Sequence, residues 1–253
     1  MILAILQARV SSSRLPGKVL KPILGLPMII RQIERLQKAK LIDHLILATS
    51  DHITDNPLVE LCQQINIEIF RGNLDDVLDR FYQSAKPKQP EHIVRLTGDC
   101  PLTDPYLIDK VIKFHLAGYF DYTSNAIEPT YPDGLDVEIC RFPCLQLAWK
   151  QAYLPSQREH VTSFIHQQPE QFKLGSYKNN IDISELRWTV DEPLDFELVN
   201  QIYEYLYPTN PNFTTQDILD LYGKYPELKS YNTCYQRNEG FAKSLLKDQL
   251  FSK

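Results

Sequence analysis

The chain begins with a segment that must be covered on both sides. Residues 2–6 (ILAIL) are an unbroken apolar run. A strand of that kind belongs inside a parallel sheet with helices on both faces. The same grammar then repeats. Residues 44–49 (HLILAT), 67–70 and 92–96 read as further strands, and helical patterns separate them. Residues 28–38 place Ile29, Ile33 and Leu36 on one stripe with Arg31, Glu34 and Arg35 off it, and Pro27 precedes them. Asp55, with Pro57 two residues on, reads as the N-cap of a second helix reaching residue 65. Residues 74–84 form a third, burying Leu74, Val77, Leu78 and Phe81. Asp104-Pro105 caps a fourth, ending near Ala117. Such alternation predicts an α/β fold with a mostly parallel sheet and right-handed crossovers.

The second half is less regular. Residues 135–140 and 187–190 read as strands, and 143–151, 157–167 and 193–206 as helices. Thr214 or Thr215 caps a last short helix, and the stretch after Tyr225 is polar and weakly patterned. No repeat or interdomain linker is visible, so the expectation is one domain over residues 1–253, its core ending near residue 222 and a tail occupying 223–253.

Bulk properties exclude several classes. The net charge of −5 argues against a general nucleic-acid binder, although a nucleotide needs only a local group of cations and amides. Five cysteines with no CxxC pair read as reduced thiols of a cytosolic protein. The apolar start lacks a basic leader and is interrupted by Gln7 and Arg9, and no apolar run reaches membrane length. A soluble cytoplasmic protein, with neither membrane nor nucleic acid as a partner, is expected.

The most informative segment follows the first strand directly: Gln7-Ala8-Arg9-Val10-Ser11-Ser12-Ser13-Arg14-Leu15-Pro16-Gly17-Lys18. Ligands of open parallel sheets bind at the carboxyl ends of strands. Here Arg9, Arg14 and Lys18 are spaced five and four apart among serine hydroxyls. Arginine grips phosphate oxygens bidentately and lysine acts as a point charge, the combination a triphosphate needs. It is not a Walker A loop, because Lys18 is followed by Val19 and no glycine stands five residues before Gly17.

QARVSSSRLPGK resembles the signature loop of bacterial sugar cytidylyltransferases, which include the CMP-Kdo and CMP-acylneuraminate synthetases. Ala8, Arg9, Ser12, Arg14, Pro16, Gly17 and Lys18 match the Ala-Arg-x-Gly-Ser-x-Arg-x-Pro-Gly-Lys form without a gap, while Ser11 stands where a glycine is usual. The branch typified by spore coat polysaccharide biosynthesis protein F is the closer match. Its blocks occur in order: ATSD at 48–51, RGNLDDVLDRF at 71–81, RLTGDCPLTDP at 95–105, DGLDVE at 133–138, REHVT at 158–162 and WTVDEPLDFEL at 188–198.

The resemblance implies a Rossmann-like three-layer α/β/α fold of the nucleotide-diphospho-sugar transferase type and a homodimer. It implies a transfer of CMP from CTP, with Mg²⁺, to a sugar acid or related small acceptor. Arg9, Arg14, Lys18 and Asp99 would be catalytic, with Gln7, Ala8, Ser12, Ser13, Arg71, Gly72, Arg80, Thr97 and Gly98 beside the nucleotide. Asp99 and Asp191 would hold the metal. Read without the resemblance, Asp99 at a strand end suits Mg²⁺ on a nucleotide phosphate, with loop capping as the lesser reading, and Asp191 alone is more often the N-cap of the helix at Pro193, a role compatible with metal binding. Asp133, Asp136 and Glu138 are expected to meet acceptor hydroxyls or an extra metal, or else form a solvated edge. Arg158 or His160 is expected to receive an acceptor carboxylate or phosphate, although a lone histidine is more often structural. Asp75, Asp76 and Asp79 spell the DDxxD of prenyl synthases, but those enzymes are all-helical. A glycosyltransferase consuming a nucleotide sugar is the alternative activity. It calls for an Asp-x-Asp motif, which Asp99-Cys100-Pro101 does not supply.

Overall fold

A computed structural model describes residues 1–237 and 239–251. In chain order the elements are β1 (Ile2–Gln7), β2 (Pro22–Ile23), β3 (Leu26–Pro27), α1 (Met28–Leu36), β4 (His44–Ser50), α2 (Asn56–Gln64), β5 (Glu68–Gly72), α3 (Val77–Ala85), β6 (His92–Thr97) and α4 (Pro105–Gly118). They continue with β7 (Tyr122–Ser124), β8 (Glu138–Arg141), α5 (Phe142–Gln151), α6 (Pro155–Glu159), α7 (Ser163–His166), β9 (Leu174–Ser176), α8 (Pro193–Leu206), α9 (Thr215–Lys224) and α10 (Glu239–Phe251).

The main sheet has the order β5-β4-β1-β6-β8-β7-β9, and β2 and β3 form a separate small hairpin. β5, β4, β1 and β6 are mutually parallel; β8 is reversed between β6 and β7, and β9 runs parallel to β7. The chain leaves β1 toward β4 and β5, then returns to the other side at β6. That reversal opens a crevice past the carboxyl ends of β1 and β6.

The apolar run in β1 is unbroken because the sheet is covered twice. Ala4 and Leu6 join one core with α1, α4, α8 and α9, whereas Leu3 and Ile5 join a second with α3, α5 and α7. Alternate residues of a strand point to opposite faces, so both sets must be apolar. The arrangement is the three-layer α/β fold. Asp104 caps α4 as expected, accepting from the amides of Tyr106 and Leu107.

Four expectations need correction. Residues 157–167 are not one helix: α6 ends at Glu159, and Val161 takes φ 60 before α7 begins. A left-handed conformation in a β-branched residue stops a helix and persists only where packing imposes it; Val161 is fully buried. Residues 187–190 make only an isolated bridge, Asp133 to Arg187. Asp55 does not cap α2 with its side chain. The polar stretch after Tyr225 contains a 3-10 turn at Pro226–Ser230 and the helix α10, which returns to the body of the molecule.

Candidate functional site

The loop after β1 is pinned by one residue. The Val10 amide donates to Asp55 Oδ1 at 2.7 Å, and the Val10 carbonyl accepts from Ser12 N at 2.9 Å and Gly17 N at 3.0 Å. Asp55 is fully buried and also accepts from Thr49 and from the amide and hydroxyl of Ser50. The loop is thereby tied to the end of β4. Gly17 sits at φ 71, a conformation costly for other residues, and turns the chain into the 3-10 segment Lys18–Leu20. At Gly98 a side chain is excluded for another reason: an added Cβ would lie 2.7 Å from Ala8 Cβ. That close approach brings the ends of β1 and β6 together.

Between them lies a cleft of about 790 Å³. It is lined by Gln7, Ala8, Arg9, Ser12, Ser13, Arg14 and Lys18 from the loop, by Thr97, Gly98 and Asp99 after β6, and by Arg80, Arg95, Arg158 and Asp191. Lys18, buried, is the hub. Its ammonium donates to the Val190 carbonyl at 2.7 Å, to Asp191 Oδ1 at 2.8 Å and to Asp99 Oδ2 at 3.3 Å. Burial works against the charge, but Asp99 and Asp191 outweigh it and raise the Lys18 pKa above its ordinary value. Burial likewise opposes ionisation of Asp99, yet Lys18, with hydrogen bonds from Thr97 and Cys100, holds its carboxyl down at about 2. Arg14 reaches Asp191 Oδ1 at 2.8 Å. Asp191 therefore faces the cleft and is not the helix cap; Glu192 occupies that position before α8.

Two carboxylates converging on one ammonium are also what a divalent cation needs. Mg²⁺ takes one or two carboxylates and completes its shell with substrate phosphate and water. Among the described residues no group of three or more His, Cys, Asp and Glu could hold a metal unaided. Asp99 and Asp191 thus fit a cation shared with a bound phosphate.

Arg80 is buried, donates through Nη1 to the Asn73 carbonyl at 3.1 Å, and leaves its Nε without a partner. Burial, with Arg9 nearby, lowers its pKa to about 10, so it stays charged and faces the cleft. Arg71 and Gly72 do not line the cleft. The Arg71 guanidinium donates to the carbonyls of Ser50 and His52 and to Asn56 Oδ1, fixing the end of β4 against α2. Of the DDxxD residues, Asp75 and Asp76 line the cleft; Asp76 also caps α3, and Asp79 accepts from the Trp149 indole at 2.7 Å.

A second cavity of about 390 Å³ adjoins the first and shares Arg14, Arg95, Thr97, Asp99, His160 and Asp191 with it. Asp133, Asp136 and Glu138 in it are not a solvated edge, because each of the three is matched to an arginine. Glu138 pairs with Arg95 and accepts from Tyr122 and Thr162. Asp133 pairs with Arg187 at 2.9 Å and Asp136 with Arg237 at 2.5 Å. Burial pushes the Asp136 carboxyl up to about 7 even against Arg237. Arg187 also binds Asp195 at 2.9 Å and Asp191 at 3.4 Å; burial opposes its charge, but these carboxylates hold it on.

Arg158 is already committed, to Asp76 and to the Trp149 carbonyl, so it is not a free receptor for an acceptor anion. His160 lies at the junction of both cavities, its Nε2 2.9 Å from Ser244 Oγ. Burial and Arg95 lower its pKa, which keeps the imidazole neutral near pH 7. Sequence reasoning named neither Arg95, Arg187 nor Arg237. Arg95 sits inside a quoted block and was findable as a charged residue within the otherwise apolar stretch of β6; the other two carry no local signal.

Comparison with known proteins gives this geometry a family. The cytidylyltransferase family profile matches residues 3–228. The uncharacterized protein MJ1063 of Methanocaldococcus jannaschii is 38% identical, with 92% of this chain and 94% of that protein covered. Spore coat polysaccharide biosynthesis protein SpsF of Bacillus subtilis is 32% identical, with 89% and 95% covered. A cytidylyltransferase structure from Leptospira borgpetersenii superposes with a TM-score of 0.87 at 29% identity, covering 93% of this chain and 99% of that one. Among the described residues no helix is long and apolar enough to cross a membrane. With a cationic loop at the switch point of a doubly wound sheet and two carboxylates facing it, the chain belongs to the cytidylyltransferase family and is a nucleotidyltransferase.

Proposed function

We propose that this cytoplasmic enzyme transfers CMP from CTP to a small sugar-like acceptor, a sugar acid or a relative of one, in the synthesis of a surface glycan precursor. The observation that carries the reading is the convergence of Lys18, Arg14, Asp99 and Asp191 where two cavities meet, one lined by the cationic loop and the other by paired carboxylates. An acceptor oxygen attacks the α-phosphorus in line, the bond to the bridging oxygen breaks, and pyrophosphate leaves.

Arg9, Arg14 and Lys18 take up the charge that develops on the leaving group, Lys18 acting as a point charge from its seat between Asp99 and Asp191. Asp99 and Asp191 would hold Mg²⁺, which when bound would supply charge neutralisation at the phosphates. The acceptor proton passes to solvent, since the neutral His160 ring is engaged with Ser244. Arg80, Gln7, Thr97 and Gly98 wall the nucleoside end. Asp133, Asp136 and Glu138 receive acceptor hydroxyls. A homodimer is part of this reading, and light scattering of the purified protein tests it.

The deciding assay follows pyrophosphate release with Mg²⁺ across CTP, UTP, dTTP and ATP against a panel of sugar acids and phosphorylated acceptors. CTP-dependent release is expected. Absence of any CTP binding would move the reading to a glycosyltransferase.

A further inference from the structure

The family profile ends at residue 228, yet the second cavity is closed by residues beyond it. Gln236, Glu239, Gly240 and Phe241 form its outer wall. The segment is clasped at both ends. Arg237 binds Asp136 at 2.5 Å and the Tyr131 carbonyl at 3.0 Å. On α10, Ser244 binds His160 and Glu159, each at 2.9 Å, and Asp248 accepts from the Ser156 amide at 2.9 Å. Between the clasps Phe241 rests edge-on against the His160 ring, with centroids 5.0 Å apart, and leans on His166 at 6.4 Å.

We propose that Gln236, Glu239, Gly240 and Phe241 form the acceptor-selecting wall of the enzyme, and that Phe241 sets which acceptor fits. Much of the cavity is charged or hydrogen-bonding, through Arg95, Glu138, Asp133 and Asp136. Phe241 adds a flat apolar surface to this lining, the contact that the C–H face of a sugar ring takes while its hydroxyls meet the carboxylates. Of the described residues in 236–251, only Lys247 lines the nucleotide cleft, so the wall addresses the acceptor far more than the nucleotide. The inference rests on the cytidylyl-transfer reading of the adjoining cleft.

The test compares the full-length chain with Phe241→Ala and Phe241→Leu. CTP affinity is measured by calorimetry with Mg²⁺. Pyrophosphate release from CTP is followed with 3-deoxy-2-keto sugar acids, with N-acylated sugar acids, and with water as the only acceptor. In that last arm a water oxygen bonds to the α-phosphorus, the bond to pyrophosphate breaks and a proton goes to solvent.

For Phe241→Ala the CTP affinity should stay within about twofold, because Phe241 lines the second cavity and not the cleft, and the His160 ring it packs on stays in place. Acceptor KM should rise about tenfold or more, or the order of preferred acceptors should change. The water-only rate should increase, and Phe241→Leu should recover part of each effect. Unchanged KM, acceptor order and water-only rate would overturn the proposal. So would a CTP affinity that falls in step with the acceptor KM, because the segment would then only support the fold. If the parent chain itself binds no CTP, the transfer reading fails first, and that result is read without either variant.

Discussion

The nucleotide cleft and the acceptor cavity meet at Asp99 and Asp191 but are built in opposite ways. The cleft takes Arg9, Arg14 and Lys18 from twelve consecutive residues, 7–18, at the end of β1 on parallel strands, and adds Arg80, Arg95 and Arg158 from other elements. The cavity is assembled from β7, β8, the turn at Val161, the approach to α8 and the C-terminal segment, over a reversed part of the sheet. In the cleft, Arg9 makes no ion pair or hydrogen bond among the described residues and Arg80 keeps an unpartnered Nε. In the cavity, Glu138, Asp133 and Asp136 are each matched to an arginine. On the proposed reading, the co-substrate is met mainly by one locally encoded loop, and the acceptor by a network closed over long range.

That contrast can be broken by substitution. Lys18→Ala should lower turnover by ~10²-fold or more, the scale of losing one transition-state charge contact. Pyrophosphate release with any active acceptor checks it, and near-normal turnover would remove Lys18 from the chemistry. Arg187→Ala strikes the other side. It leaves Asp133 and Asp195 buried without their cation, and breaking a buried pair costs about 3–5 kcal/mol. Urea unfolding should show that loss, and CTP affinity in the remaining folded protein should change far less.

Asp55→Asn tests the anchor of the loop. It should cost about 1–3 kcal/mol, since amide and hydroxyl donors lose a charged acceptor. Burial would raise the Asp55 carboxyl, but hydrogen bonds from Ser50, Val10 and Thr49 bring it below the ordinary 3.8. Its stabilisation is therefore complete above that pH and lost as the pH falls through the lower folded-state value. The difference between wild type and Asp55→Asn, followed by chemical denaturation, should shrink on acidification below pH about 4. Arg71→Ala should have the smallest effect on binding. Its hydrogen bonds, about 0.5–1.5 kcal/mol each, hold the β4 end and should appear in stability. CTP affinity by calorimetry should move by less than about twofold, as expected for a site with no shared partners.

These cases also show how far the chain could be read as text. The doubly covered β1, the alternation through α4, and α8 at Pro193–Leu206 were visible because periodicity is a local property. β7 and β9 were not. Each is three residues long, too short for a pattern, and exists because a neighbouring strand offers hydrogen bonds. The helix expected over 157–167 failed at Val161, where tertiary packing overrode local preference. Arg71 and Arg158 were attractive by type and position, yet both guanidinium groups are spent on the scaffold.

The sequence by itself determined the three-layer fold and the composition of the cationic loop, since both depend on neighbours within a few residues. Only the tertiary structure decided that Lys18 joins Asp99 to Asp191, and that Arg237 reaches Asp136 across 101 positions. An ion pair between distant residues leaves no periodic trace in a sequence; it is fixed where folding buries two opposite charges side by side and removes the water that would otherwise separate them.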